Sequence, residues 1–330
     1  MKHLIAVLLT AVLVVGCSFS GGGGGAETPE GRIERKRIAE FDGRVLDLEV
    51  EAHDGTIIRL NTARDTEDTR SYDPDMPNHS GRSWTLLNTA SDSTTLAYAL
   101  LAWDNEDSSD YLLAGWWLHF PGQHPPRLRL SLAENGLFIG GPEFGASDTF
   151  RMPVRGEATY SGGAGGLYIY EHGGNWGDLE GTEATEEYSA TLTLTADFEN
   201  RTVRGCLGCA GDINVERTHL RTILGRRPSD DLRAAPTDYE LHFAPAPFTR
   251  DGDFEQAEVR VTHPERNVVG AVGFWGGSFS NKPDADGNPR LVMGFTQSLF
   301  AEDDGSRGLF LGLFNALSDT YRASGNSQGP

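Results

Sequence analysis

The sequence predicts an all-β protein, and two observations lead to this prediction. Residues 188–198 alternate apolar and polar side chains with a period of two, so that Ala190, Leu192 and Leu194 face one side while threonines face the other. Similar short segments recur between turns rich in Gly, Asn and Asp, whereas residues 230–235 are a modest helix candidate. Antiparallel closure of about eight such strands into a barrel would remove exposed edges and leave an interior that side chains can fill.

The first residues have the pattern of an export signal. Lys2 precedes an apolar run over residues 4–15, which is about 12 residues long, whereas a membrane-spanning helix needs roughly 20. Gly16 and Cys17 follow this run and match the lipobox that lipoprotein signal peptidase recognises. We therefore expect cleavage after residues 1–16 and acylation of Cys17. The alternative is an ordinary secretory signal in which Cys17 is incidental.

Residues 17–30 are predicted to form a lipidated, flexible tether. Glycines occupy every position from 21 to 25, and they have no side chains to bury and much conformational entropy to lose on folding. Several acyl chains on Cys17 would hold the protein at a membrane, because each buried methylene contributes about 0.8 kcal/mol. These N-terminal acyl chains are the predicted membrane contact.

The chain is strongly acidic, with a formal net charge of −20. Nucleic acid and anionic membrane surfaces are therefore poor partners, and no nucleic-acid binding is expected. The acidic residues occur in short groups, which is typical of solvated loops. One such group is also a candidate contact for a basic ligand or a cation: Asp104, Glu106, Asp107 and Asp110.

The first predicted folded unit covers residues 31–145 and is the smaller and β-rich one. Its clearest strand patterns lie near residues 45–50, 95–103 and 111–120. Residues 61–83 are rich in Asp, Arg, Thr and Asn and lack apolar periodicity, so they are predicted to form a long mobile loop. Because loops held by a rigid scaffold carry recognition, this loop and the acidic group at 104–110 are the best contact candidates.

The second predicted unit covers residues 146–316 and contains most of the strand patterns. The glycine-rich residues 161–165 are predicted to form a loop between two of its strands. Residues 317–330 are predicted to be a flexible tail, because their end is small, polar and without periodicity.

Trp116 and Trp117 are candidate ligand contacts. Neighbouring residues of a strand point to opposite faces, so their two indole rings lie on different sides. We expect one ring to pack in the core and the other to cover the smaller unit or to meet a ligand. Core packing is the favoured interpretation.

Cys206 and Cys209 are the only cysteines besides Cys17. An exported protein meets an oxidising compartment, so a local disulfide is expected. A thioredoxin-like site would need the first cysteine at a helix N-terminus, whereas glycines on both sides of this pair favour a hairpin. A zinc site would need two further ligands, and neither a second CxxC nor a paired-histidine motif supplies them.

The sequence contains none of the common catalytic motifs, which are the nucleophile elbow, the His-Glu-x-x-His helix, the Walker loop and the dinucleotide fingerprint. Residues 284–288 begin like a calcium loop, but Pro289 stands where glycine is needed, so a turn is predicted. His119 and His124 lack a standard metal-ligand spacing and are interpreted as ordinary surface or edge histidines. No enzyme activity, cofactor or metal is therefore expected.

Four segments between residues 111 and 295 share features with one known family: Tyr-Leu-Leu-Ala-Gly-Trp-Trp-Leu at 111–118, the glycine-rich 153–168, the alternating 190–198 with Val-Arg-Gly at 203–205, and Gly-Phe-Trp-Gly-Gly-Ser-Phe at 273–279 leading into 289–294. The chain thereby resembles the transferrin-binding-protein-like β-barrel lipoproteins, the group that includes factor H binding protein. Residues 279–289 replace the usual closing motif of that family, which indicates a divergent member. The partners of particular members are therefore not transferred to this chain.

The resemblance implies an eight-stranded antiparallel barrel preceded by a handle-like domain, with a lipid anchor. It also implies binding of an extracellular protein or a small solute, for example in nutrient or metal acquisition. The outer membrane is the location that the resemblance implies, and Ser18 rather than Asp follows Cys17, so the inner-membrane retention signal is absent; the periplasmic and the cell-surface face both remain open. One alternative is a structural envelope lipoprotein without a diffusible ligand, which a deletion phenotype would distinguish. Another is a hydrolase that uses scattered carboxylates such as Glu157 and Glu171.

Overall fold

A computed structural model of the chain describes most of the residues after the predicted tether. The described residues are 39–41, 45–52, 55–72, 79–105, 111–124, 134–140, 151–179, 181, 183–211, 213–216, 236–256, 258–280 and 282–326. The predicted signal, the predicted tether, the helix candidate at 230–235 and the acidic residues Glu106, Asp107 and Asp110 all lie outside them.

The described chain is all-β with 68% of its residues in strands, and its sheets are antiparallel, as the sequence predicted. Its strands are β1 (Ala39–Phe41), β2 (Leu46–Glu51), β3 (Ile57–Asn61), β4 (Thr66–Tyr72), β5 (His79–Thr89), β6 (Ser93–Asp104), β7 (Tyr111–Pro121), β8 (Glu134–Gly140), β9 (Glu157–Glu171), β10 (Glu183–Asp197), β11 (Thr202–Leu207), β12 (Asn214–Glu216), β13 (Glu240–Pro247), β14 (Asp253–Gln256), β15 (Val259–Thr262), β16 (Val268–Phe279), β17 (Leu291–Glu302) and β18 (Arg307–Ser318). A 3₁₀ turn covers Gly174–Leu179, and helix α1 covers Asp319–Asn326. Among these residues no helix has the length and apolar character needed to cross a membrane.

The strands form three sheets. Strands β1, β2 and β3 form a three-stranded sheet, and β4 to β8 form a five-stranded sheet in sequence order. The remaining strands form a large sheet in the order β14-β16-β17-β18-β9-β10-β11-β13-β15, with β12 paired to β10. The large sheet curls into a half-barrel, and an isolated bridge between Phe248 and Phe254 connects the end of β13 to β14.

The period-two pattern of residues 188–198 is confirmed in β10. Leu192 and Leu194 are buried on the concave side of the large sheet, whereas Thr191 is exposed on the other side. The predicted strands near 45–50, 95–103 and 111–120 are likewise confirmed as β2, β6 and β7. Alternation succeeds here because each of these strands has a face whose side chains leave water on folding.

Aromatic side chains fill the concave side of the large sheet. Trp275 stacks on Phe243 at 4.8 Å between ring centroids, and Phe310 stacks on Tyr168 at 4.5 Å. All four rings are buried, and rings of this size each remove about 150–250 Å² from water. This cluster is therefore a main source of stability in the large sheet.

The five-stranded sheet is the middle layer of the molecule. Leu96, Trp116 and Leu118 on one face pack against Leu311 and other apolar residues on the outer face of the large sheet. Residues of the opposite face, among them Trp117, pack against the three-stranded sheet. The two tryptophans thus lie on opposite faces, as predicted.

Glycines directly opposite aromatic residues occur in both larger sheets. The ring of Phe138 lies over its cross-strand partner Gly115, where an added Cβ would be 1.8 Å from the ring. The same arrangement joins Phe300 to Gly308, where an added Cβ would be 2.1 Å from the ring. Glycine is therefore required at both positions, because any side chain there would occupy the space of the ring.

The prediction of a long mobile loop at residues 61–83 is wrong. Strand β4 and the first part of β5 occupy most of this segment. Among the described strands β4 pairs only with β5, so it is an edge of its sheet, and edge strands tolerate charged side chains that hide the strand pattern.

The predicted loop at residues 161–165 is also wrong, because β9 continues through it without interruption. At Gly162 an added Cβ would lie 2.0 Å from the backbone oxygen of Asn315. This glycine therefore reflects close packing between neighbouring strands, whereas the sequence suggested a turn.

The prediction of a flexible tail at residues 317–330 is wrong for residues 317–326, since β18 ends at Ser318 and α1 covers Asp319–Asn326. The side chain of Ser318 caps the helix by accepting a hydrogen bond from the backbone N–H of Tyr321 at 3.1 Å. The ring of Tyr321 packs into the core between the five-stranded sheet and the large sheet. Residues 327–330 lie outside the described part of the chain.

Candidate functional site

A cavity of about 420 Å³ lies where the five-stranded sheet meets the outer face of the large sheet. Small-molecule sites in proteins occupy about 300–1,000 Å³ and often lie between structural units, so this cavity has a suitable size and position. Both sheets contribute to its lining: Asp68, Ser71, Ser83, Thr85, Tyr98, Leu100, Trp116, Gly163, Ala164, Gly165, Gly166, Glu187, Tyr188, Leu313 and Asn315.

An aromatic pair from neighbouring strands forms one wall of the cavity. Tyr98 of β6 and Trp116 of β7 are direct cross-strand partners, and their rings stack at 5.8 Å with an interplanar angle of 17°. The indole N–H of Trp116 is buried and has no hydrogen-bond acceptor among the described residues. A buried donor of this kind is energetically costly, and a ligand or water with an acceptor atom would satisfy it.

The facing wall is formed by the outer face of β9 and its neighbour β18. Gly163 and Gly165 lie on this face and expose backbone rather than side chains. An added Cβ at Gly163 would find its nearest neighbour, the backbone oxygen of Ala190, at 3.8 Å, so the space in front of this residue is open. The cavity exists because the wall of β9 recedes where these glycines occur.

Polar groups are placed at the side of the cavity nearest β5. The hydroxyl-bearing residues Ser83 and Thr85 are buried there. Their side chains lie on the same face of the five-stranded sheet as the aromatic pair. None of the described lining residues is a lysine or an arginine. The cavity thus combines an aromatic surface with hydroxyl groups and with the acidic residues Asp68 and Glu187, and it offers an anionic group no cationic partner.

The predicted contact residues have different outcomes. Trp116 lines the cavity, whereas Trp117 is buried on the opposite face of the five-stranded sheet. Asp104 ends β6, and the remainder of the predicted acidic contact, Glu106, Asp107 and Asp110, lies outside the described residues.

The histidines of β7 and the following turn do not form a common site. His119 is buried, with its Nδ1 2.8 Å from the hydroxyl of Thr95, while His124 is exposed. The interpretation of His119 as an ordinary surface or edge histidine is therefore wrong, because β7 is paired on both sides and strand alternation turns this side chain toward a covered face. Residues 284–288 form the predicted turn, in which Asp284 Oδ1 accepts backbone hydrogen bonds from Asp286 and Asn288 at 2.9 Å each.

A separate polar cluster lies at one end of the large sheet. The carboxylate of Glu302 is buried, with 1% of its side chain exposed, and pairs with the guanidinium of Arg266 through three hydrogen bonds. The hydroxyls of Tyr170 and Tyr239 also donate to this carboxylate. Every oxygen of the buried charge therefore has partners, which is what an ionised group away from water requires.

The electrostatics of this cluster follow from burial and from the ion pair. Burial raises the pKa of Tyr170 to about 12, and it raises the pKa of Tyr239 well above its usual value. Burial alone would raise the pKa of Asp304, but hydrogen bonds from Ser306 and the charge of Arg266 outweigh it and hold that pKa below its usual value. Both tyrosines therefore stay protonated and act as hydrogen-bond donors at neutral pH.

The predicted disulfide between Cys206 and Cys209 is present. The structure also brings His242 beside it, with Nδ1 3.8 Å from Cys209 Sγ. Sequence spacing alone did not reveal this neighbour, because 33 positions separate the two residues and only the pairing of β11 with β13 brings them together.

No family model and no curated protein matches the chain. The proposals below therefore depend on the residues themselves.

Proposed function

We propose that the protein is a lipid-anchored, non-enzymatic binding protein of the outer membrane that holds a small solute in the cavity between its two larger sheets. The observation that carries this proposal is the stacked Tyr98–Trp116 pair facing the receding glycine wall of β9. A flat, partly apolar solute that carries no negative charge and has a hydrogen-bond acceptor fits this combination best. Stacking would hold its apolar surface, and the indole N–H of Trp116 is a donor for its acceptor atom.

We also infer that the large sheet is a closed eight-stranded barrel with the two smaller sheets beside it as a handle. Supporting this inference, β14 pairs with β16 over residues 253–256, and the bridge between Phe248 and Phe254 connects β14 to the end of β13. If β14 and β15 are counted as one interrupted strand, the other seven strands of the barrel are β9, β10, β11, β13, β16, β17 and β18. Eight strands is a size at which side chains fill the interior, as the aromatic cluster does.

Filling the cavity should block solute binding. The neutral aromatic fluorophore N-phenyl-1-naphthylamine serves as the probe, and its fluorescence rises in apolar surroundings. The change Gly163→Leu places an isobutyl group in the open space in front of β9. We expect it to weaken probe binding by about tenfold or more, because the probe and the leucine side chain would need the same space. Forcing extra volume into a filled space costs about 1–3 kcal/mol.

The matched control is Gly270→Leu. Gly270 is also an exposed strand glycine with open space around it, but it does not line the cavity. We expect this variant to bind the probe like the unmodified protein. Equal affinity of both variants, or of Trp116→Ala and the unmodified protein, would show that the cavity is not the binding site.

The anchor is tested separately. Radiolabelled palmitate should enter the protein in growing bacteria, and Cys17→Ser should abolish the labelling, because the acyl chains are attached at this cysteine. The variant should also leave the membrane fraction. Labelling of Cys17→Ser at the original level would contradict the proposed anchor while leaving the solute site unaffected.

A further inference from the structure

Cys206, Cys209 and His242 form a cluster that none of the proposals above uses. The two sulfur atoms and a ring nitrogen of His242 all lie within 4.8 Å of one another. None of these residues lines the cavity between the sheets. We propose that reduction of the Cys206–Cys209 disulfide converts this cluster into a binding site for a thiophilic divalent cation such as Zn²⁺.

The β-ladder fixes the positions of two of the ligands. Cys206 of β11 and His242 of β13 are direct cross-strand partners, so their side chains stand side by side on one face of the large sheet. That face is the outer one, because the flanking partners Leu207 and Leu241 are buried in the core. The site is therefore accessible to a cation and to a reductant from solvent.

The turn after β11 supplies the third ligand. Gly208 adopts a φ of +86°, a conformation that favours glycine, and it reverses the chain so that Cys209 returns toward Cys206. The Cα atoms of the two cysteines are 5.8 Å apart. Two thiolates and one imidazole match three of the four tetrahedral positions of zinc, which leaves one position for water.

The imidazole of His242 is already oriented as in zinc sites. Its Nε2 lies 3.0 Å from a carboxylate oxygen of Glu240 and 3.1 Å from the hydroxyl of Thr262. An Nε2–H that donates to Glu240 places the free lone pair on Nδ1, the nitrogen that faces Cys209. Histidine ligands of metals commonly have such a carboxylate partner on the other nitrogen.

The chemistry of the conversion is balanced by a dithiol reductant. Its two thiols close into a disulfide as the Cys206–Cys209 bond opens, and two electrons and two protons pass to the protein sulfurs. Binding of the cation then releases those two protons to solvent, since thiolates rather than thiols are the ligands. Reoxidation by a small-molecule disulfide, which is itself reduced to two thiols, re-forms the Cys206–Cys209 bond and expels the cation.

The test uses Co²⁺ as a spectroscopic probe, in the full chain with Cys17→Ser so that no other thiol is present. The protein is reduced with dithiothreitol, which is removed under nitrogen before titration. We expect one Co²⁺ per chain with thiolate-to-cobalt charge-transfer absorption, displaced by Zn²⁺, and no such absorption for the oxidised protein. Absence of the absorption after reduction, or equal binding before and after reduction, would overturn the proposal.

Variants separate this site from adventitious binding. His242→Gln should weaken Co²⁺ binding by more than about 100-fold, and Glu240→Gln by about tenfold, because outer partners of metal ligands contribute about 10–100-fold. His124→Gln is the matched control at an exposed histidine outside the cluster and should leave the affinity unchanged. Each variant is first shown to be folded by circular dichroism. A folded His242→Gln protein with unaltered affinity would disprove the assignment.

Discussion

Arg266→Met should destabilise the protein by about 3–5 kcal/mol, because it leaves the buried carboxylate of Glu302 without its cation. The side chain of Glu302 is 1% exposed, so water cannot replace the lost guanidinium without rearrangement. The tyrosine hydroxyls that also bind this carboxylate are neutral donors and compensate only in part. Urea unfolding followed by tryptophan fluorescence measures the change in the free energy of unfolding.

The matched control is Arg307→Met, which removes the ion pair between Arg307 and Glu171. Both of those side chains are about half exposed, so we expect a loss of roughly 0–1 kcal/mol. Adding Glu302→Gln to Arg266→Met should restore part of the lost stability, because it removes the more deeply buried of the two carboxylates that Arg266 pairs with, while Asp304 keeps its hydrogen bond from the backbone N–H of Ser306. If the two arginine variants were equally stable, the buried pair would have no special role.

Phe310→Ala should cost about 3–5 kcal/mol, the usual range for removing a large ring from a packed core. Phe310 is fully buried on the concave side of the large sheet. Its ring stacks on Tyr168 at 4.5 Å and meets Tyr188 edge-on at 5.3 Å. Deleting it would leave a cavity. The surrounding rings cannot close this cavity, because their strands hold them in place. The shift of the urea midpoint at constant slope measures this loss.

The control for this prediction is Val272→Ala in the same sheet. Val272 is 78% exposed, so its truncation should change stability by less than about 0.5 kcal/mol. A loss for Phe310→Ala as small as that of the control would mean that the aromatic cluster does not stabilise the large sheet.

The strands that could be predicted from the sequence are those with one face in the core. In β10 the alternation of threonine with leucine indicates directly which side chains are buried, and the prediction is confirmed. In β4 charged residues at a sheet edge hide the same period. In β9, Gly162 and Gly166 are required by backbone that approaches from the neighbouring strand, so the composition of this segment resembles that of a turn.

The candidate sites could be predicted less well, because each depends on which strands become neighbours. Trp116 was identified as a contact candidate, but Ser83 and Gly163 lie in different sheets that meet only in the folded protein. The partnership of Cys206 with His242 depends on the register between β11 and β13. A one-residue shift of that register would turn the histidine to the opposite face, and composition does not determine the register.

Where a glycine lies beneath an aromatic ring, the residue type at one of the two positions restricts the residue type at the other. Gly308 is the cross-strand partner of Phe300, and the atoms nearest to an added Cβ there all belong to the ring, the closest at 2.1 Å. A larger residue at Gly308 therefore requires a smaller one at position 300. In an alignment of homologous chains, such pairs should show correlated substitution, and these correlations would report the strand register independently of any coordinates.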